Sequence, residues 1–158
     1  MSPRVLPASV LMPEYEALLR EGAELPLVVS GTSMTPFLQP GRDVVYLKAP
    51  NRPLQPGEIA FFHRRDGSHV LHRVWRAEPG KYWFLGDAQD VAEGPLPAQC
   101  VFAYVTRIER NGVSVGPDDR VWRFFAGPWR YTRGARRRFW LRVWRIPGKA
   151  RRILKKEK

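Results

Sequence analysis

Cysteine is nearly missing from this chain. Cys100 is the only one in 158 residues, so no disulfide can close within the chain and no cluster of thiolates can hold zinc. Cys100 itself reads as a small buried strand residue rather than a nucleophile. Long apolar runs are missing too: none approaches the roughly 18 residues that a membrane-spanning helix needs. Residues 5–12 are apolar but short and broken by Pro7, a poor core for a secretory signal. These absences lead to the expectation of a cytoplasmic chain. Acid is scarce at one end. Residues 118–158 hold 15 basic and 3 acidic side chains, whereas 1–117 hold 12 of each, so the net charge of +12 belongs to the C-terminal part. A uniformly basic, nucleic-acid-coating domain is disfavoured by that split.

What is present suits one folded domain, with 44% hydrophobic and 12% aromatic residues to build a core. Pro13, Glu14, Glu16, Leu18, Leu19 and Gly22 predict a short helix over 13–22, with proline and acids in its first turn and glycine past its end. Its apolar stripe is Met12, Tyr15 and Leu19. From Leu25 onward, short β-branched and aromatic runs alternate with Pro, Gly and Asn, the texture of a mostly antiparallel sheet. Strands are expected near 26–30, 43–48, 57–63, 68–76, 81–86 and 100–109. Asn111-Gly112 signals a two-residue hairpin into Val113-Ser114-Val115. At Gly116-Pro117-Asp118-Asp119 the composition turns to Arg, Trp and Phe, which divides a domain at 1–117, with a β core over about 25–116, from a basic aromatic tail at 118–158.

Chemistry is best sought in Ser30-Gly31-Thr32-Ser33-Met34-Thr35-Pro36. A hydroxyl in a small-residue turn after a strand is open to substrate while neighbouring N–H groups stay free for an oxyanion; the same residues are also ordinary loop filler. A serine needs a base to take its proton, and there are three histidines. His63 and His69 flank the Asp66-Gly67 turn of an expected hairpin and read as solvated residues beside it. His72 lies inside an apolar run, where strand alternation sets it with Val70 on one face and Leu71 with Arg73 on the other. It reads either as a base or as a histidine hydrogen-bonded within a sheet. Gly86-Asp87 follows an expected strand; the pair is a turn signal that can also set a carboxylate where it orients an imidazole.

These pieces, Ser30 to Pro36, then Leu71-His72-Arg73-Val74, then Gly86-Asp87-Ala88-Gln89, resemble in their order the serine-peptidase clan of type I signal peptidases and SOS-response repressor peptidases. The resemblance covers about residues 25–110. It implies a coiled antiparallel β catalytic domain with Ser33 as nucleophile and His72 as general base, in the branch that uses histidine where other members use lysine. Asp87 is implied as the assisting acid. An imidazole is chemically sensible there, because near neutral pH it is already largely unprotonated, whereas lysine must first be desolvated. The Ser33 N–H would bind the oxyanion, joined by the hydroxyl of Ser30 or Thr32, since Gly31 occupies the position that carries the hydroxyl in many relatives. Met34 and Phe37 either line a substrate groove or belong to the core.

The implied activity is that of a serine endopeptidase cleaving an extended peptide or precursor protein through an acyl-enzyme, with no metal or organic cofactor. The chain departs from signal peptidases in having no span, and from the repressors in having only about 25 residues before the motif, too few for a helix-turn-helix domain. A rival reading keeps the fold without catalysis, as a peptide-binding or membrane-surface adaptor; a third makes the chain a nucleic-acid-associated protein recruited by its tail. Over 135–146 a helical projection sets Phe139, Trp140, Val143, Trp144 and Ile146 on one arc and Arg138, Arg142 and Arg145 opposite. With the basic residues to 158, this segment suits the anionic inner face of a membrane, packing on the chain's own domain or a partner, or stacking on nucleic acid.

Overall fold

In a computed structural model of the chain, residues 8–132 and 134–135 are described. The chain opens with helix α1 (Ala8–Arg20), which begins earlier than 13–22 and carries Pro13 inside it. The expectation took Pro13 for a first-turn residue; the helix instead tolerates the lost N–H at that position. Its far end is as expected. Gly22, at φ 93°, lets Ala23 N–H reach the Leu18 carbonyl and Gly22 N–H that of Leu19, closing the last turn in a Schellman arrangement. Met12 and Leu19 are buried, and the Tyr15 hydroxyl donates to Pro26 O at 2.8 Å.

Among the described residues eight strands follow: β1 (Leu25–Val28), β2 (Asp43–Lys48), β3 (Ile59–His63), β4 (His69–Glu78), β5 (Lys81–Leu85), β6 (Glu93–Pro97), β7 (Val101–Arg110) and β8 (Val113–Val115). They form one antiparallel sheet in the order β1-β2-β7-β3-β4-β5-β6, with β8 paired to β7, and the sheet does not close into a barrel. Strand alternation divides the core into two layers. Ile59, Phe61, Ala103, Val105 and Ile108 face α1 and the loop after β1. Ala60, Phe62, Val74 and Phe84 pack on the opposite face, with Phe62 stacked on Phe84 at 4.0 Å. Asn111 (φ 51°) and Gly112 (φ 78°) make the tight turn into β8, as an Asn-Gly pair should.

Two further features depart from expectation. Strand β6 was not anticipated, because Gly94, Pro95 and Pro97 read as loop; it is an edge strand, where missing N–H donors are tolerated. The division at 117 also fails to separate a tail from the domain. Asp119 caps helix α2 (Arg120–Ala126) by accepting from Val121 N and Trp122 N at 2.8 and 3.1 Å. Trp122 and Phe125 are then buried against Phe37, at ring distances of 5.5 and 5.1 Å. Cutting either to alanine should cost about 3–5 kcal/mol, so α2 belongs to the core. A 3-10 turn (Pro128–Tyr131) completes it, with Trp129 packed on the same layer. The helix expected over 135–146 and the basic residues to 158 lie outside the described residues, Ala135 excepted. Among the described residues no helix is long and apolar enough to cross a membrane.

Candidate functional site

The turn after β1 carries the Ser33 hydroxyl. Gly31, at φ 78°, bends the chain in a conformation that other residues rarely adopt. Thr32 O then accepts from Thr35 N and Thr35 Oγ1, and Met34 O from Leu38 N. The turn's far end is bolted to the sheet by Asp43, which takes hydrogen bonds from Arg42, Arg110 and Gln39 N, while both arginines also donate to Phe37 O. Burial alone would raise the Asp43 pKa, but these donors outweigh it and hold the carboxyl at about 2.

The same turn rests on the segment after β5. Ala88 N donates to Ser33 O at 2.9 Å. Gly86 must be glycine there, because a Cβ would stand 2.5 Å from the Ser33 carbonyl oxygen. No acceptor for the Ser33 N–H is found among the described residues, which leaves that donor available to an oxyanion.

His72 comes from β4, opposite Ala60 of β3, and is 2% exposed. It shares with Ser33 a pocket of about 270 Å³, lined also by Ser30, Met34, Arg64, His69 and Gln89. Among the described residues no hydrogen bond joins the Ser33 hydroxyl to the ring, so the pair is convergent but not engaged. Burial, helped by the nearby Arg64 guanidinium, pushes the His72 pKa down to about 4, so the imidazole is neutral at pH 7. A wider groove of about 860 Å³ is lined by Pro50, Leu54, Pro56, Tyr82 and their neighbours; neither Ser33 nor any histidine borders it.

Asp87 is where the expectation must be corrected. Both of its carboxylate oxygens are taken by Arg73, whose Nε and Nη2 donate at 2.9 and 2.7 Å, with both side chains 1% exposed. Arg73 also donates to Gly57 O at 2.7 Å and lies over the Phe37 ring at 5.0 Å. His72 and Arg73 point to opposite faces of β4, and the carboxylate that follows β5 meets the arginine. Asp87 therefore braces the loop under Ser33 instead of orienting the imidazole. Its backbone carbonyl accepts from Trp129 Nε1 at 3.0 Å, tying the C-terminal turn to the same loop.

The carboxylate beside the imidazole is Glu93, from the unanticipated β6. Its Oε1 is 4.0 Å from His72 Nδ1, and these two atoms are buried without hydrogen-bond partners. Its other oxygen is held by Arg64 Nε at 2.5 Å. About 1 Å of closure would make a hydrogen bond of the kind that fixes an imidazole's tautomer. A proline-rich stretch offered no signal by which the sequence could have revealed this.

The other expected residues separate cleanly. Ser30 is exposed at the pocket; Thr32 is exposed and does not line it; Met34 lines it from the core, 3% exposed. Phe37 is wholly core. Cys100 is half-buried in a 3-10 turn (Ala98–Cys100) preceding β7, and burial pushes its thiol up to about 11, where it is no nucleophile. His63 and His69 are not simply solvated: both ring Nε2 atoms approach Glu16 of α1.

Comparison with known proteins returns no matching family model, no matching curated protein and no matching solved structure.

Proposed function

We propose that the protein is a serine endopeptidase of the kind its motifs resemble, the signal-peptidase and SOS-repressor clan, with Ser33 as nucleophile and His72 as general base. The observation that carries the reading is their convergence, from separate elements, on one pocket. In the proposed reaction His72 takes the Ser33 proton as Oγ attacks the scissile carbonyl. The Ser33 N–H steadies the oxyanion; Ser30 is the better placed of the two candidate hydroxyls to assist, since it borders the pocket and Thr32 does not. The imidazolium then protonates the leaving amine, and a second pass with water frees Ser33. Glu93 is the positioning acid: it faces Nδ1, where a carboxylate favours the charge that appears during attack. No step calls for a metal or organic cofactor.

The substrate is proposed to be an extended peptide or precursor protein. Strand β1 ends the sheet and leads directly into the Ser33 turn, so its open side offers main-chain groups for strand addition. The basic segment from 135 to 158 is proposed to bring the domain to an anionic membrane surface on the cytoplasmic side. Because α2 is core, the deletion that tests this must begin after Thr132; loss of pelleting with anionic vesicles is expected, and equal binding to neutral vesicles would contradict it.

Labelling by a fluorophosphonate tests the chemistry. Wild-type chain is expected to gain one covalent adduct at Ser33, seen by intact-mass and peptide mapping, and Ser33→Ala and His72→Ala to gain none. Persistent labelling of Ser33→Ala would sink the assignment, and a folded wild type that never labels would favour a non-catalytic adaptor.

A further inference from the structure

Glu16 on α1 and the cross-strand pair His63 and His69 meet outside the catalytic constellation. The register of β3 and β4 sets the two histidines directly opposite each other, and their rings lie 4.5 Å apart, with Phe102 beside both. One carboxylate oxygen faces both rings: Glu16 Oε1 is 2.9 Å from His63 Nε2 and 3.6 Å from His69 Nε2. The other oxygen is turned away, bonded to Arg20 Nη2 at 3.2 Å.

As protein alone the cluster is incomplete. His63 can donate to Glu16, but His69 Nε2 is then buried with no hydrogen-bond partner, an arrangement that folded proteins generally avoid. A cation shared by Glu16 Oε1 and the two Nε2 atoms would satisfy all three together. The three donor atoms lie within 4.8 Å of one another; tetrahedral zinc, with bonds of about 2.1 Å, sets its ligands roughly 3.4 Å apart. Small rotations of the two partly buried rings would cover the difference.

We propose that Glu16, His63 and His69 form a binding site for a divalent transition metal, with Zn²⁺ the best fit. Two imidazoles and one carboxylate are borderline nitrogen and oxygen donors, suited to zinc and its late first-row neighbours rather than to magnesium or calcium. Three protein ligands leave a fourth position open. The ion joins α1 to the β3–β4 hairpin, two elements otherwise far apart in sequence. It also fixes the ring of His69, which forms part of the wall around Ser33 and His72.

The test uses the full chain stripped with chelator and then titrated with Zn²⁺ by calorimetry and with Co²⁺ by visible absorption. One ion per chain is expected, with tetrahedral Co²⁺ bands that Zn²⁺ displaces and a melting temperature that rises with Zn²⁺. His63→Ala, His69→Ala and Glu16→Gln should each weaken binding by at least about tenfold, whereas Ser33→Ala and His72→Ala should bind as wild type does, which separates this site from the proposed catalysis. Circular dichroism without metal establishes that each variant is folded. The proposal is overturned if folded wild type shows no saturable binding at about 100 μM Zn²⁺, or if the double variant His63→Ala/His69→Ala binds as well as wild type.

Discussion

Replacing Asp87 by alanine removes both acceptors from Arg73 Nε and Nη2 while leaving that guanidinium 1% exposed. A buried cation stripped of its partner typically costs about 3–5 kcal/mol, roughly a fifth or more of the about 5–15 kcal/mol that holds a domain together. The Gly57 carbonyl and the Phe37 face remain to the arginine but cannot replace a bidentate carboxylate. Urea unfolding of the full chain should therefore show a large fall in midpoint, and the melting temperature should drop by roughly 10 °C or more. The decisive comparison is a double-mutant cycle. Arg73→Met/Asp87→Ala should be more stable than Asp87→Ala alone, because the second change removes the stranded charge. Fluorophosphonate labelling, measured well below the melting temperature, should survive in the folded fraction of both variants. If Asp87→Ala unfolds within about 1 kcal/mol of wild type yet no longer labels, the bracing role is wrong and the carboxylate serves the imidazole after all.

Other outcomes follow from neighbouring groups. The rate of labelling should stay level from pH 8 down to about 5 and fall only near 4, since His72 titrates there; an inflection near 6.5 would contradict the depressed base. Arg64→Gln should move that inflection upward, because Arg64 adds to the depression. The same shift couples to folding: the unfolded imidazole binds its proton at 6.5 and the folded one only near 4, so stability is full above 6.5 and is lost as pH falls toward 4. The loss is on the order of 3 kcal/mol, and the pH dependence over that range should shrink in His72→Phe. Glu93→Gln should slow labelling by roughly tenfold or more and shift its pH profile while leaving the urea midpoint near wild type; an unchanged rate and profile would remove Glu93 from the mechanism. Gly86→Ala should cost roughly 1–3 kcal/mol and impair labelling, because its Cβ would stand 2.5 Å from the Ser33 carbonyl oxygen.

Much of the sheet was legible because its strands alternate cleanly and its turns carry Gly and Asn where positive φ is needed. Val70 and Leu71 do pack in opposite layers, and that alternation set His72 and Arg73 on opposite faces in advance. The partner of each was not legible. A carboxylate just past the neighbouring strand β5 can serve only one of two adjacent side chains of β4, and nothing in local spacing says which. Glu93 was hidden by the prolines of β6, whose pairing with β5 is a tertiary fact. The α2 segment was misread because Arg-rich composition overshadowed the spacing of Trp122 and Phe125, three apart on one helical face, which is the signal that could have found it.

The hydrogen bond from Trp129 to the Asp87 carbonyl joins the 3-10 turn after α2 to the loop beneath Ser33. A pull on Trp129 is therefore felt at the Ser33 loop directly through that hydrogen bond, not along the length of chain between them.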